Sequence, residues 1–393
     1  MPKEDNNVSD IEKEAISIVK EEVAAWEHGT SFVTEKIAFQ MRDVIRTNRK
    51  NYYGIFDNPF DPITKRRKIW IPLTESIVES VVKNIDLDTK DVNLRAKPGG
   101  SIGMAEIARP LVTNALDIMK FGEDLDDGLR DLAIDGTFVW KTLDGDNQYA
   151  VKRSTVDLLN CFIDPTARSI QDAYRFTERS FMTEQEVKQM KGWVNTEGVV
   201  GTVNLNVNDA SYNVSSNNVG RTTKQVDVWE MWGKIPKWLI TDNKEDVEEI
   251  DGRIVVSGLS SDKNNLVHLI QENKTKDASG KVIKPYEEAW YTRVPGRWHG
   301  RGIAEKLSML QLWLNIIVNI RINRSFVSQL GIYKVKKTSN ITRQMLSRLA
   351  SNGVITVDSM DDIEQMVVQE ASAASYQDEG GIQSWAQRVT SAF

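Results

Sequence analysis

Cysteine and histidine are scarce in this chain: one cysteine, Cys161, and three histidines, His28, His268 and His299, in 393 residues. A single cysteine excludes an intrachain disulfide and a cysteine-based zinc site, and it suits folding in a reducing cytoplasm. The histidines fall in different stretches and none has a second ligand one helical turn away, so neither a zinc site nor histidine catalysis is expected. No glycine-rich loop ends in Gly-Lys-Ser/Thr, which argues against a nucleotide hydrolase. Asp124-Leu-Asp126-Asp127-Gly128 looks like a calcium loop at a glance, but the glycine comes one place early and no Glu follows at the twelfth position. No apolar run reaches the roughly 18 residues of a membrane span; the most apolar stretch, 307–318, is broken by Gln311 and Asn315. The opening MPKEDNNVSD is polar and acidic, unlike a secretory signal. The expectation is therefore a protein with no catalytic residues, no metal, no cofactor and no membrane segment.

What is present is an ordinary globular composition, 40% hydrophobic and 27% charged, with eleven Trp. The length exceeds a usual single domain, so two or more subdomains are expected. Charge is unevenly placed. Between Trp290 and Ala350 there are eleven Lys and Arg against the single acid Glu305, a net of +10; the whole chain carries −6, so the remainder carries −16. Such a body repels anions over most of its surface and tolerates a polyanion at one place.

Apolar periodicity predicts helices over 9–50 (Ser9 as N-cap, a break at Gly29-Thr30), 74–85 (N-cap Thr74, with Ile77, Val78, Val81 and Val82 inward), 104–121 and 125–134, the last two separated by Gly122. A turn-rich loop spans 52–72. Strand-like runs at 137–143 and 148–152 flank Asp144-Gly145-Asp146 as a β-hairpin. Thr183 with Glu186 forms a capping box for a short helix over 183–192. The Asn- and Ser-rich segment 195–224 reads as a long loop, 226–240 as a strand pair, and 253–257 and 266–271 as further strands, followed by a polar turn over 272–284. A long helix over 303–329, strand 331–337, helix 341–350, strand 353–357 and an acidic tail complete the chain. Asp164-Pro165 suits a turn, and Cys161 beside Phe162 a small buried hydrophobe.

The long helix carries the most specific pattern. Gln311, Asn315, Asn319 and Asn323 recur every four residues and so share one face. Asn is a mediocre helix former, and four amides in one stripe imply a positional need: hydrogen bonding to a neighbouring helix or lining a wet channel. Ile303, Leu307, Leu310, Leu314, Ile317 and Val318 or Ile320 cover much of the rest. The pattern fits equally a central core helix and one packed against other subunits. It is preceded by a glycine-rich turn, Pro295-Gly296-Arg297-Trp298-His299-Gly300-Arg301-Gly302, whose arginines beside a helix N-terminus could hold phosphate, although a simple helix start is commoner. Lys65-Arg66-Arg67-Lys68 could also touch phosphate, and more readily forms a solvated loop before Ile69-Trp70-Ile71.

At these residues the chain resembles the portal proteins of tailed bacteriophages. The resemblance rests on Pro295–Glu305 followed by Gln311, Asn315 and Asn319; on 160–165 with Ser169, Ile170, Asp172, Ala173, Arg179, Met182 and Thr183; on 226–232; and on 353–358, in that family's order. It implies an α+β subunit with a mixed α/β wing, long stem or channel helices and a small β-rich clip, assembling into a ring, commonly a dodecamer, at one capsid vertex. The implied divisions are 1–225 as a wing-like region with N-terminal helices, 226–292 as a clip-like β-rich region, 293–330 as the stem or channel helix, and 331–393 as a return to the wing. A crown would follow in the family, so it is expected to be absent or truncated here. The implied partners are further copies of the chain, double-stranded DNA, a terminase motor, head–tail adaptor or tail proteins and the major capsid protein; the implied location is the virion, and the host cytoplasm during assembly. By the resemblance, the amide stripe and Arg321, Arg324, Lys334, Lys336, Lys337 and Arg343 lie nearest DNA or neighbouring subunits. The alternative is a nucleic-acid-processing enzyme or accessory DNA-binding subunit, for which Asp124, Asp126 and Asp127 are the only dense carboxylate cluster. A peripheral membrane role is disfavoured, because no amphipathic helix has a Lys-rich polar face.

Overall fold

The computed structural model describes residues 10–27, 40–62, 65–85, 94–96, 99–144, 151–164, 166–201, 225–243, 245–246, 248–259, 265–277, 280–330, 332–335, 363–366 and 373–390. The expected N-cap Ser9, the break at Gly29-Thr30, the loop over 202–224, the helix at 341–350 and the strand at 353–357 lie outside these residues. The chain divides into two compact units, one of Met1–Lys50 with Val78–Glu305, the other of Asn51–Ile77 with Lys306–Phe393. Secondary structure is mixed α and β, as expected, and every strand pairing is antiparallel.

In the first unit, α1 (Asp10–Glu27) lies over a five-stranded sheet of order β3-β4-β5-β6-β7: Cys161–Ile163, Arg175–Thr183, Gln225–Pro236, Glu249–Ser257 and Leu266–Glu272. Strand alternation divides the side chains between two faces. Trp229, Met231, Ile235, Ile254 and Val256 meet Ala15, Ile18 and Val19 of the helix. Val226, Val228 and Val255 face the other way, with Val187 and Val199. The segment 226–240, expected as a strand pair, is instead one 12-residue strand followed by a short helix, Trp238–Thr241. Its nine-pair register with β4 and nine-pair register with β6 keep it extended past Gly233. Of the expected 226–292 region, β5, β6 and β7 share their sheet with β3 and β4.

A second sheet, β2-β1-β8, joins Thr137–Asp144, Val151–Thr155 and Tyr286–Trp290. The β1–β2 pair is antiparallel as expected, but Asp144 pairs with Val151 inside the ladder and the second strand is Val151–Thr155 rather than 148–152; the β8 partner comes from far along the chain. Lys141 of β1 reaches Glu178 of β4 and Glu230 of β5, both at 2.6 Å. Those two carboxylates sit opposite each other in the β4–β5 ladder, and Arg253 approaches Glu230 at 2.8 Å. Tyr286 Oη donates to Glu178 at 2.6 Å and Trp232 Nε1 to Glu230 at 2.7 Å. Buried charge of this kind persists only when each partner is met. A second buried group is Asp135, where burial drives the carboxyl pKa up to about 7 against the pull of Arg49 at 2.9 Å.

Four helices complete this part of the chain. They are α2 (Met41–Tyr53), α3 (Leu73–Asn84), α4 (Ile102–Ile118) and α5 (Phe121–Asp135). The expected break at Gly122 falls instead at Lys120, which takes a left-handed conformation (φ 54°), while Gly122 lies inside α5. Thr74 is not the cap of α3 but its second residue. The capping box at Thr183 and Glu186 forms as expected and starts α6, Glu184–Gln189.

The second unit is built on α8, Ile303–Leu330, whose body from Lys306 onward belongs here. It also holds the β9–β10 ribbon, Ile332–Val335 with Ile363–Met366, and α9, Ala373–Thr390. The tail expected to be merely acidic thus supplies a strand and a helix. Ile382 and Ala386 of α9 are buried.

Candidate functional site

The turn into α8 is held within the first unit by backbone contact that only glycine permits. Gly136, the left-handed C-cap of α5 (φ 84°), lies so near the turn that an added Cβ would sit 2.3 Å from the Gly302 nitrogen; one on Gly300 would meet the Gly136 oxygen at 2.1 Å. The Gly300 amide donates to Thr137 Oγ1 at 2.7 Å and the Arg301 amide to the Thr292 carbonyl at 2.8 Å. Arg297 is buried, donating to the His299 and Gly300 carbonyls and pairing with Glu305 at 2.9 Å. Arg301 is half-exposed and also approaches Glu305, at 3.4 Å. Glu305 lies in the first helical turn, where the helix dipole favours an anion. The arginines that could have held phosphate are therefore bound to the chain's own carboxylate. Pro295 and Gly296 are exposed. His299 is buried, and burial, then Arg297, push its imidazole pKa down to about 3.

Within the second unit, the amide stripe of α8 grips an extended segment of the same chain. Gln311 Oε1 accepts from the Thr74 amide and hydroxyl at 3.0 and 3.1 Å, and its Nε2 donates to the Ile71 carbonyl at 2.6 Å. Asn315 Oδ1 accepts from the Ile71 amide at 3.0 Å. Asn319 makes both bonds to Ile69, accepting from its amide and donating to its carbonyl, each at 2.8 Å. Asn323 donates to Asp61 at 3.2 Å. The spacing has a geometric origin: four residues of helix rise about 6 Å, close to the roughly 6.6 Å of two residues of extended chain. An amide every fourth position can thus match every second peptide of a strand. The stripe's role is within the chain, which corrects its assignment to a channel wall or a neighbouring subunit. Thr74 lies one residue inside α3, where its amide and hydroxyl both donate to Gln311.

Around α8 the buried residues Leu307, Leu314 and Val318 form one face. On the opposite face, Met309, Leu312, Trp313, Ile316 and Ile320 are exposed, at 63, 51, 54, 40 and 49%. Five large apolar side chains in helical register are more than the scattered exposed hydrophobics of a monomer surface. The first unit has a comparable face on α4, where Met104, Ile107, Leu111 and Ile118 are exposed.

The basic residues expected nearest DNA separate into three groups. Arg321 is held by Glu379 at 2.5 Å and lies over the Tyr376 ring at 4.3 Å, both on α9, so its charge is used within the fold. Arg324 is exposed and makes no side-chain bond among the described residues. Lys334 sits on β9 opposite Glu364 of β10 in the ladder; Lys336, Lys337 and Arg343 lie outside the described residues.

The basic run 65–68 lies in a loop that folds back on 59–61, before Ile69-Trp70-Ile71. Backbone bonds from Asp61 to Arg66 (2.7 Å), Lys65 to Asp61 (3.0 Å) and Lys68 to Pro59 (2.8 Å) close a tight hairpin. Its side chains alternate. Arg66 lies over the Phe326 ring of α8 and Lys68 donates to the Asn58 carbonyl at 3.1 Å, whereas Lys65 and Arg67 are exposed. Four consecutive cations give no sign of that alternation in the sequence, nor of the partner Phe326.

The other candidates sit as follows. His268 is buried, its Nδ1 2.9 Å from the Val194 carbonyl and its Nε2 2.8 Å from Ser257 Oγ, which is buried as well. Asp127 on α5 pairs with Arg130 at 3.5 Å, and no three His, Cys, Asp or Glu among the described residues are grouped to hold a metal ion. Asp164 accepts from Thr166 in a turn, as expected, and burial pushes the Cys161 thiol pKa well up. Among the described residues no helix is long and apolar enough to cross a membrane. No family model and no curated protein matches this chain.

Proposed function

We propose that this chain is the subunit of a portal-like ring, a head–tail connector whose central channel passes viral DNA during packaging and ejection, and that it works without catalysis. The observation that carries the reading is the two-sided character of α8. One side is locked to its own chain by amides and a buried apolar face, and the other presents Met309, Leu312, Trp313, Ile316 and Ile320 to solvent.

A helix of 28 residues is about 42 Å long, and an apolar stripe of that kind calls for burial against another surface. Identical neighbours around a closed ring supply one to every subunit, because a heterologous interface that closes leaves no face uncovered. The exposed face of α4 gives the first unit a comparable need. The chain's net charge of −6 suits a conduit: DNA is held weakly enough to slide, since each neutralised phosphate adds to affinity. The partners that follow from this role are duplex DNA, a terminase motor, head–tail adaptor or tail proteins and the major capsid protein, at the capsid vertex of a virion.

Negative-stain microscopy of the purified protein at micromolar concentration and near-physiological salt tests this. Rings with a central hole are expected; a monodisperse monomer or dimer across the whole concentration range defeats the reading.

A further inference from the structure

The exposed face of α4 has a definite period. Met104, Ile107, Leu111 and Ile118 fall at a, d, a and a of two heptads, with Asn114 at the remaining d position. The four apolar side chains are 68, 64, 63 and 61% exposed, and Leu116 is the one buried residue of this 17-residue helix. Glu106 and Arg109 lie on the opposite side, paired with each other at 3.7 Å. A strict a/d stripe is the narrow seam of a helix pair, whereas a helix lying on a core has a broader apolar face. The margins of this seam are low: Gly103, Ala108, Pro110 and Ala115 take e and g positions, with Asp117 the one charged residue among them. From Met104 to Ile118 the helix rises about 21 Å, which matches a partner helix of two to three heptads.

We propose that this face of α4 is the docking site for one helix of a different protein, apolar at its a and d positions and carrying Lys or Arg beside that stripe. Such a contact needs no ring to exist.

The sign of the partner follows from charge. The seam ends at Ile118, and residues 117–127 hold five acids, Asp117, Glu123, Asp124, Asp126 and Asp127, against the one cation Lys120, a local net of −4. Lys120 is itself held by Glu123 at 3.0 Å. Asp117 and Asp126 are exposed and make no side-chain bond among the described residues. The negative end of the α4 dipole falls at the same place. A cationic segment is therefore drawn to that end of the seam and an acidic one repelled. A second copy of the chain is a poor match. It carries −6 overall, and of the cations on its long helix Arg321 is bound to Glu379 and only Arg324 is exposed. The two exposed helix faces thus differ in their surroundings, and complementarity assigns the α4 face to a basic helix from elsewhere.

The test uses the full chain and fluorescently labelled peptides of about three heptads. One has Leu at every a and d position and Lys at e and g, the second has Glu at e and g, and the third is a scrambled form of the first. Anisotropy reads affinity at low and near-physiological salt for the wild type, Leu111→Ser, Met104→Ser one heptad away, D117N/D126N and the control Ile320→Ser on α8. Urea unfolding and negative-stain microscopy on the same samples score folding and assembly. The Lys peptide is expected to bind the wild type at least about tenfold more tightly than the other two. Leu111→Ser and Met104→Ser each weaken it about tenfold, the worth of burying one such side chain, and leave folding and rings as in the wild type. D117N/D126N weakens it about threefold at low salt and less at higher salt, while Ile320→Ser leaves it unchanged. Equal affinity for the Glu peptide, or an affinity that neither Leu111→Ser nor Met104→Ser alters, overturns the proposal. Loss of rings in folded Leu111→Ser also overturns it, since the face then belongs to a neighbouring copy. A wild type that forms no rings but binds the Lys peptide through Leu111 defeats the ring reading and supports this contact.

Discussion

Trp313 offers the sharpest test of what the outer face of α8 is for. Its exposure is 54%. On an aromatic side chain of roughly 250 Å², that leaves about 130 Å² in contact with water, worth ~3 kcal/mol if a neighbour covers it fully at about 25 cal/mol per Å². Trp313→Ala removes that contribution from every interface in an assembly, whereas in the isolated subunit more than half of the ring is already in water. The subunit's unfolding free energy is therefore expected to move by no more than about 0.5 kcal/mol, as for other surface substitutions. The association constant per interface falls about a hundredfold, since 1.4 kcal/mol is a factor of ten. Sedimentation velocity over a thousandfold range of concentration reads the assembly midpoint, and urea unfolding of the dissociated protein reads the fold. A midpoint unchanged by W313A, with folding intact, refutes the argument that this face is buried against a neighbour. Loss of folding refutes the claim that it is free in the subunit.

The remaining expectations concern the fold that presents this face. Gln311→Leu leaves the Thr74 amide and hydroxyl without their acceptor in a buried place, and a loss of about 2–4 kcal/mol is expected from two orphaned groups, measured by denaturant unfolding. Lys141→Met strands Glu178 and Glu230 opposite each other, with Arg253 on only one of them; about 3–5 kcal/mol is expected from breaking a buried charge set, with near-ultraviolet circular dichroism as the readout. His299 titrates at about 3 when folded and near 6.5 when unfolded. Between those values the unfolded chain binds the extra proton, so stability falls as pH is lowered, by up to about 1.4 kcal/mol per unit. His299→Phe is expected to flatten that limb. Comparing variant with wild type separates it from Asp135, whose raised pKa of about 7 acts the opposite way: its protonated form favours the folded state, and stability declines as pH rises towards 7.

Local signals in the sequence were dependable where the determinants lie close together. The Thr183–Glu186 box and the 28-residue α8 follow from neighbours within a turn or two. The misreadings share one cause, a partner supplied from far away. Thr74 looks like a cap, yet its hydroxyl donates to Gln311, 237 residues on. The β1 strand finds β8 across a gap of some 140 residues, and nothing in either strand names the other. Lys120 adopts a left-handed conformation beside Gly122, the residue whose composition suggested the break. In α9, Gly380-Gly381 and the two acids Asp378 and Glu379 mask the apolar pair Ile382 and Ala386, four residues apart, that only burial makes plain. The amide stripe was found correctly as a stripe; its use was misassigned because the extended segment it binds lies at 69–74.

The basic excess of 290–350 illustrates how little a count of charges says about a surface. Arg293 donates to the Arg168 carbonyl, Arg297 is buried against Glu305, Arg301 shares that carboxylate, and Arg321 is bound to Glu379. Each satisfies an acceptor that folding would otherwise leave without a partner, so each contributes to architecture before it contributes to any field outside the protein. Among the described cations of that stretch, Arg324 is the one that is exposed and has no bond to another described residue. Four of the eleven cations between Trp290 and Ala350 are thus bound within the fold. With those four withdrawn, the phosphate-release relation limits the contribution of this stretch to a salt slope of about −6.3 per subunit for a polyanion, against about −10 for all eleven. Measuring the slope on the wild type and on R301Q and R321Q tests this: a slope near −10 that each substitution reduces would mean that these arginines exchange Glu305 and Glu379 for phosphate.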